Sequence, residues 1–561
     1  MIKSKGINNG KFYYSNLYKD YIIDFENLNE FYQYDYRKID SYRKRILDIN
    51  YDYDKKKRLK IYDILKKYNE SIGCGIKTIE NIEKLKRADS AVIIGGQQPG
   101  FLSGPIFIIF KILTVLKLSS FFEKEFKIPL IPCFWNASDD SNLSQADNLN
   151  IISDNKIVNI KLDLSDINKK TRYSDIYLSQ SRLDAAIAEL EKILHPTDFK
   201  SGIIDFYKRI IVDTFKKASY TGSHPEEKIN ISTFFSSLIA VMFSGSGIVI
   251  IDPSDVELKK ISLNLLEFDV DNHCKINHLI NSAGKKLKKN GYQNQLNPVP
   301  GTLNSFYCSE GKRYKIYSNM DNKNLFEIGD KKYNRVQLRN LFIKYPSNIS
   351  LNVVLRPLFQ DSQLPVLCSV CGPGEAGYLA QLKTVYELYN LKMPVIYPRF
   401  SATIIEKKIK KILVKLEITE RELGLAREEM IKKKIDKRLK VNIPELMQKM
   451  ENDIQERFEK LEKTLIDFDM NISSSFDRIK RNMKKEIKVL NKKIYSELKK
   501  QDEFTSENIN KVYTNIFPND NLQEREINIS AYLNKYGFEF IDELYSKVEP
   551  FDFLHKFLEI S

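Results

Sequence analysis

IIGGQQPGFLSGP, residues 93–105, joins a β-branched apolar run to a long apolar segment. Four glycines and two prolines fall within it, around the pair Gln97-Gln98. Ser90 to Gly96, "SAVIIGG", predicts a buried strand, because β-branched residues run unbroken up to two glycines. Ile106 to Leu118 predicts a buried helix. Lys127 to Trp135, "KIPLIPCFW", predicts a second strand, ending at the only Trp of the chain. Strand, helix and strand in this spacing make a βαβ unit, hence a parallel sheet. The glycine-rich bend then lies at the carboxyl end of a parallel strand and opens a helix, which is where open α/β sheets bind ligands. Glycine permits positive φ and close approach of another group. Free N–H groups at the helix start favour an anion by about 0.3–1 kcal/mol per charge. The stretch is neither GxGxxG nor GxxxxGK[ST], so neither a dinucleotide nor a P-loop motif applies. A tight structural turn is the alternative.

The same pattern recurs downstream. Gly245 to Asp255, "GSGIVIIDPSD", predicts a strand, and "INISTFFSSLIAVMF" before it a helix packed on the sheet. Leu364 to Arg399 predicts another unit: strand, glycine-rich bend, helix, strand. Polar segments near 150–225 and 256–350 mix strands and helices and are expected as insertions. Residues 1–90 are rich in Tyr and expected to be mostly helical, packing on a core of residues 91–400. From Ile404 the pattern changes. Ile405, Ile409, Ile412, Leu416 and Leu423 follow spacings of three, four and seven. After a break at Pro444, which can begin a helix, Ile454, Phe458, Leu461, Leu465, Phe468 and Ile472 continue, then Phe476 through Leu498. This predicts a coiled coil over 401–510, an antiparallel hairpin joined near 430–450, with a shallow supercoil. A helix of about 45 residues would reach about 68 Å and must pair, within the chain or with a second copy. Residues 511–561 return to globular character, as helices docking on the core.

Composition excludes several classes. With 561 residues and 42% hydrophobic content the chain is long enough for more than one structural unit and is not globally disordered. The formal net charge of +15 accompanies a Lys-, Ile- and Asn-rich composition throughout. No stacking-aromatic RNA-recognition signature is present, so no nucleic-acid partner is expected. The start lacks the apolar run of a secretory signal. Phe101 to Leu118 carries Lys111 and Lys117 and is short for a membrane span. Six Cys make no disulfide scaffold, and a reducing cytoplasm fits.

Three constellations could carry chemistry. The first is the bend itself. The second is Ser138, Asp139 and Asp140 after the second strand, able to bind a metal, hold an amine or act as a general base, or alternatively to cap a helix. The third is Arg356 with the bend Cys371 to Lys383. Arg356 could bind a carboxylate or phosphate, or pair with Asp361. Glu375 could cap its helix or hold a substrate amine. Cys368 and Cys371 have redox-like spacing without a second pair. His273, Cys274 and His278 do not match a metal-binding helix face, His195, His224 and His555 are isolated, and no metal is predicted.

"GGQQPGFLSGP", "RPLFQD…LP", "GPGEAGYLAQLK", "KMPVIYPR" and "NDNLQEREINI" occur in this order, with the coiled coil before the last. In this the chain resembles the bacillithiol biosynthesis cysteine-adding enzymes, the cysteine ligases, over nearly its whole length. The resemblance implies a Rossmann-like α/β core with connecting-peptide insertions, a coiled-coil dimerisation domain, a homodimer and a cytoplasmic location. It implies that cysteine is joined to the amino group of glucosaminyl-malate. After the Trp the family usually carries an acid-acid-His-Asp run. Here Asp139, Asp140, Ser141 and Asn142 stand at those positions, so the His is replaced by Ser141.

The expected roles follow from residue chemistry. Asp139 or Asp140 receives the amine proton, and Gln98 orients the substrate. Gly96, Gln97, Gln98, Pro99, Gly100, Ser103, Gly104, Trp135, Ser138, Arg356, Gln360, Gly372, Gly374, Glu375, Tyr378 and Arg399 line the substrate or nucleotide. If ATP activates the carboxyl, backbone N–H groups of both bends hold its oxygens. The rival readings are a degenerate relative that binds a nucleotide or thiol metabolite without turnover, and a coiled-coil assembly protein.

Overall fold

In the computed structural model, which describes residues 2–7, 12–13, 15–220, 228–319, 322, 324–439, 442–466 and 473–560, the apolar run after Ser90 becomes β1, Ala91–Gln97. Phe107–Phe126 follows as α1, which ends where Lys127 turns left-handed at φ 54°. Every residue from Ile108 to Leu116 is buried, as expected of a helix apolar on all sides. Leu130–Asn136 is β2. Ile231–Met242 is α2, capped by the Asn230 side chain. Val249–Ile251 is β3, Leu355–Gln363 is α3 and Val366–Cys371 is β4. Pro373–Leu379 is α4 and Val395–Pro398 is β5.

These strands form one sheet in the order β5-β4-β1-β2-β3. Every neighbouring pair is parallel, with Ala91 opposite Leu130 and Val370 opposite Gly95. The chain runs outward one way from β1 through β2 to β3, and the other way through β4 to β5. The reversal lies between β1 and β4, and both glycine-rich bends leave the sheet there. That is the switch point at which doubly wound sheets bind ligands.

The chain divides into two units, 1–403 with 521–558 and 404–520 with 559–561. In the first, the Tyr-rich N-terminal segment fastens β5 and α4. Tyr21 donates to the Ile396 carbonyl at 2.5 Å and Tyr32 to that of Ala376 at 2.7 Å, so each ring is buried while its hydroxyl finds a carbonyl. This segment, expected to be mostly helical, also holds a strand, Ile2–Ile7. The insertions contain a hairpin at 148–161 and a five-stranded antiparallel sheet within 302–351. His273 is buried on the helix Leu263–Lys289, bonded to Ser318 at 2.8 Å, while Cys274 and His278 of that helix are exposed. Cys368 and Cys371 are free and buried in β4. His224 lies outside the described residues. Among the described residues no helix is long and apolar enough to cross a membrane.

In the second unit, Ile443–Ile466 (α5) pairs with Ser473–Gln501 (α6). Phe458 meets Phe476 edge-on at 5.9 Å, and Lys480 pairs with Glu462 at 2.7 Å and Lys484 with Glu451 at 3.4 Å, an antiparallel register. The two helices of this pair are Ile443–Ile466 and Ser473–Gln501, so 430–450 is not the join between them. Phe468 and Ile472 of the expected series lie outside the described residues. The first series, Ile405 to Leu423, is not one long helix. Ile405 ends a strand, and only Lys407–Lys415 and a short turn of helix follow. Spacing of apolar residues does not record where a helix stops.

Candidate active site

A cavity of about 520 Å³ opens at the carboxyl ends of β1, β2 and β4. Gln98 and Gly374, one from each bend, both line it. So do Gly96, Gln97, Trp135, Asp139, Asp140, Arg356, Gly372, Glu375, Tyr378 and Arg399 of the expected residues.

The first bend is built by close approach and by distant chain. A Cβ on Gly95 would fall 2.9 Å from Lys111 Cγ, and one on Gly96 2.8 Å from Trp135 Cβ. Neither has positive φ, so their glycines serve packing rather than backbone freedom. Positive φ comes later, at Leu102 (45°), Ser103 (75°) and Gly104 (67°). Such a run persists only when the surroundings impose it. Here Asn528 Nδ2 donates to the carbonyls of Leu102 at 2.7 Å and Gly104 at 2.6 Å, and Ile106 N–H donates to the Ile527 carbonyl at 2.8 Å. Pro99 and Ser103 are buried away from the cavity, and Gly100 and Gly104 line a smaller neighbouring one.

The second bend is self-contained. Gly372 caps α4, Pro373 occupies its first turn, and Glu375 Oε2 accepts the Gly372 N–H at 2.8 Å. That amide is therefore engaged and Pro373 has none, while Gly374 of the same bend lines the cavity beside the charged side chains. Lys111, 1% exposed, donates to Glu375 at 2.6 Å, to the Gly96 carbonyl at 2.6 Å and to Gln97 Oε1 at 3.3 Å. Burial pulls the Lys111 ammonium down and Glu375 partly restores it. Burial works to raise the Glu375 carboxyl, but Lys111 and Arg356 outweigh it and hold it low. Glu375 is thus engaged as cap and ion-pair partner, not free to hold an amine. Arg356 donates to the Tyr378 hydroxyl and lies 4.0 Å from Glu375. It does not pair with Asp361, which instead accepts from Tyr386 at 2.5 Å and Gln360 at 3.0 Å. Gln360 is buried in that contact, off the cavity.

The acidic wall separates its members. Ser138 caps no helix and does not reach the cavity; it donates to buried Asp252. Asp139 is 6% exposed and bound by Lys259 at 3.0 Å and Arg172 at 3.4 Å. Burial lowers the Lys259 pKa, and Asp139 opposes it. Asp140, with a side chain 38% exposed, accepts from Gln98 Nε2 at 2.8 Å and lies 3.6 Å from Arg313. Gln98 is in turn held by Gln97 at 2.5 Å. Both acids line the cavity, and Asp140 is the more exposed of the two. Ser141 accepts from Arg313 at 3.5 Å.

Sequence reasoning missed Lys111, Phe107, Arg313 and Arg525 of this cavity. Lys111 had a signal: a lysine in the most apolar stretch of the helix just after the bend. Arg313 comes from the inserted antiparallel sheet, its guanidinium 3.8 Å over the Phe306 ring, and nothing local marks it. Arg399 pairs at 2.5 Å with Glu524, 1% exposed, which also accepts from Ser401 and the Ala402 N–H. The motif "NDNLQEREINI" thereby joins the site.

Comparison with known proteins identifies the family. The family model described as "Bacillithiol biosynthesis BshC, N-terminal Rossmann-like domain" matches residues 2–400, and "Bacillithiol biosynthesis BshC, C-terminal coiled-coil domain" matches 402–560. The chain is 27% identical over 507 residues to the "Putative cysteine ligase BshC" of Geobacillus sp. (strain WCH70), covering 90% of each. It is 27% identical over 540 residues to the protein of that name from Salinibacter ruber, covering 95% of this chain and 94% of the relative. To that of Desulforamulus reducens it is 28% identical over 545 residues, 96% of each. With a parallel sheet whose two glycine-rich bends share one charged cavity, followed by a helical hairpin, the chain belongs to the BshC family of bacillithiol biosynthesis.

Proposed function

We propose that the protein joins the carboxyl of cysteine to the amino group of glucosaminyl-malate, forming bacillithiol. One observation carries this reading: a single cavity at the switch point is lined by Asp140, oriented by Gln98, and by Arg313, Arg356 and Arg399. A substrate that carries both an amine and carboxylates matches a cavity that presents Asp140 together with Arg313 and Arg356. The names of the relatives support the ligase class.

In the reaction the carboxyl carbon of cysteine bonds to the amine nitrogen, one carboxyl oxygen leaves, and the amine gives up protons. Asp140 holds the ammonium and takes a proton as the bond forms. Gln98 keeps that carboxylate aimed. Arg356, braced by Tyr378 and Glu375, pairs with a malate carboxylate. Lys111 keeps Glu375 ionised and the bends in register. The arginines of the cavity suit a phosphate chain, and ATP bound there would supply activation of the carboxyl.

The test is to incubate the purified protein with glucosaminyl-malate, cysteine and ATP and to detect the thiol product by mass spectrometry. Product is expected, and Asp140→Asn should lower kcat by about 10²–10⁴-fold. Folded protein that yields no product, or full activity after Gln98→Ala with Asp140→Ala, would refute the reading. The substitution at Ser141 favours a second reading, a relative that binds without turnover; activity appearing only in Ser141→His would establish it. We further place the protein in the cytoplasm as a homodimer through the helical hairpin. Light scattering should then give twice the 65.5 kDa chain mass.

A further inference from the structure

Arg313 and Arg356 reach the cavity from an inserted strand and from α3, and both hang from the same two residues. Arg313 Nη2 donates to the Leu351 carbonyl at 2.9 Å. The Arg356 N–H donates to the Asn352 carbonyl at 3.0 Å. Asn352 Oδ1 accepts the N–H groups of Val354 at 2.9 Å and Leu355 at 3.1 Å, so its side chain holds the first turn of α3. Residues 351–352 are in turn tied to the strand Thr302–Ser309. Leu351 pairs with Ser305. One residue further on, Asn352 bonds Asn304 twice, N–H to carbonyl at 3.0 Å and Nδ2 to Oδ1 at 3.0 Å. The same strand carries Phe306, under the Arg313 guanidinium.

Behind this strand lies Asp269 of the helix Leu263–Lys289, fully buried. Its Oδ2 accepts the Asn304 N–H at 2.9 Å and the Ser305 hydroxyl at 3.2 Å, and its Oδ1 accepts Asn304 Nδ2 at 3.0 Å. All three donors are neutral. Burial pushes this carboxyl up to about 6, and the bonds from Asn304 and Ser305 work against that rise. A carboxylate buried among neutral donors is costly to desolvate. What it adds is direction. With its N–H and Nδ2 both held by Asp269, Asn304 turns its Oδ1 to Asn352.

We propose that Asp269 is a positioning residue for substrate recognition: through Asn304 and Asn352 it sets the spacing of Arg313 and Arg356. Asp269 and Asn304 do not line the cavity and act only through the groups they hold. This rests on the ligase reading, in which Arg356 pairs with a malate carboxylate, and deepens it. Two guanidinium groups at a fixed separation select a ligand that carries two carboxylates, so the latch serves glucosaminyl-malate and not cysteine.

The test compares the full-length protein with Asp269→Asn and with the milder Ser305→Ala, which removes one of the three bonds, at about pH 8, where Asp269 is ionised. Calorimetry gives the affinity for glucosaminyl-malate, steady-state rates give kcat and both KM values, and hydrogen exchange by mass spectrometry gives the protection of residues 352–356. Asp269→Asn should raise Kd and KM for glucosaminyl-malate about tenfold. It should leave kcat and the KM for cysteine within about twofold. Exchange at 352–356 should quicken while β4 stays protected. Ser305→Ala should shift the same quantities by less. Exchange that quickens equally in β4 and at 352–356 in both variants assigns Asp269 to general stability and overturns the proposal. A lower kcat with unchanged KM, or unchanged affinity with unchanged exchange, overturns it too. Wild-type protein that binds no glucosaminyl-malate refutes the ligase reading. Faster exchange confined to 352–356 then keeps the latch, and its absence overturns that as well.

Discussion

The bend after β1 and the bend after β4 end adjacent strands of one sheet and share a cavity, yet they are held in different ways. The second is closed by its own neighbours. Gly372, Pro373 and Glu375 make a cap within four residues. The first contains three consecutive left-handed residues and is held by Asn528, 426 positions from Leu102 along the chain. Glycine-rich strand-to-helix bends can therefore look alike in sequence while one is a local motif and the other a product of the tertiary fold. The difference also divides labour. The locally stable bend carries a buried charge cluster, and the remotely held one presents the neutral pair Gln97-Gln98.

The contrast can be broken first at the point where the C-terminal segment also reaches the second bend. Arg399 donates its backbone N–H to Cys371 and its guanidinium to Glu524. Arg399→Met leaves Glu524 buried and unpaired and should cost about 3–5 kcal/mol in urea unfolding. Arg399→Met with Glu524→Leu should recover part of that loss. If the single change is silent, the segment does not anchor the site.

Next in size is a pH effect at the same anchor. His555 bonds to Ser401 and Thr403 at 2.8 Å each, and burial pushes its pKa down to about 4. The unfolded chain takes up that proton near pH 6.5. The contribution of neutral His555 is therefore complete above about pH 6.5 and is lost as pH falls through about 4, up to about 3 kcal/mol. Urea unfolding of His555→Gln at pH 7 and pH 4.5 should lack this part of the slope.

Smaller effects separate the bends themselves. Asn528→Ala leaves two carbonyls of the first bend without their donor and should cost about 1–3 kcal/mol. Gly104→Ala should cost about the same, because φ is 67°, ψ is −162° and a Cβ would fall 2.9 Å from Ile108. Gly374→Ala is the smallest: nothing lies within 4 Å of its Cβ, and an alanine in a helix is neutral or stabilising by up to about 1 kcal/mol. It should alter ligand affinity without lowering the thermal midpoint. Equal costs at Gly104 and Gly374 would erase the distinction.

The parallel sheet could be read from β1, β2 and β4 because buried strands appear as unbroken apolar runs. Their ends were read less well. The third strand shrank to Val249–Ile251, since Gly and Pro mark where a strand can stop, not where pairing ends. Gln98 and Glu375 line the cavity from the bends, Asp140 from the end of β2, and Arg356 and Arg399 from α3 and the end of β5. Ser138 and Gln360 share those motifs but turn inward, which neighbouring residues do not reveal. Arg313 and Arg525 come from an insertion and from the C-terminal segment, where no pattern announces them.

What the amino-acid order determined by itself was the alternation of strand and helix, the cap of the second bend and the order of the family motifs. Each depends on residues a few positions apart, or on the run of the chain alone. What only the tertiary structure decided was which charges meet. Lys111 reaches Glu375 across 264 residues and Arg399 reaches Glu524 across 125. Contacts of that separation arise only when the whole sheet and its C-terminal segment are assembled, because burial, and not proximity in the chain, brings those groups together.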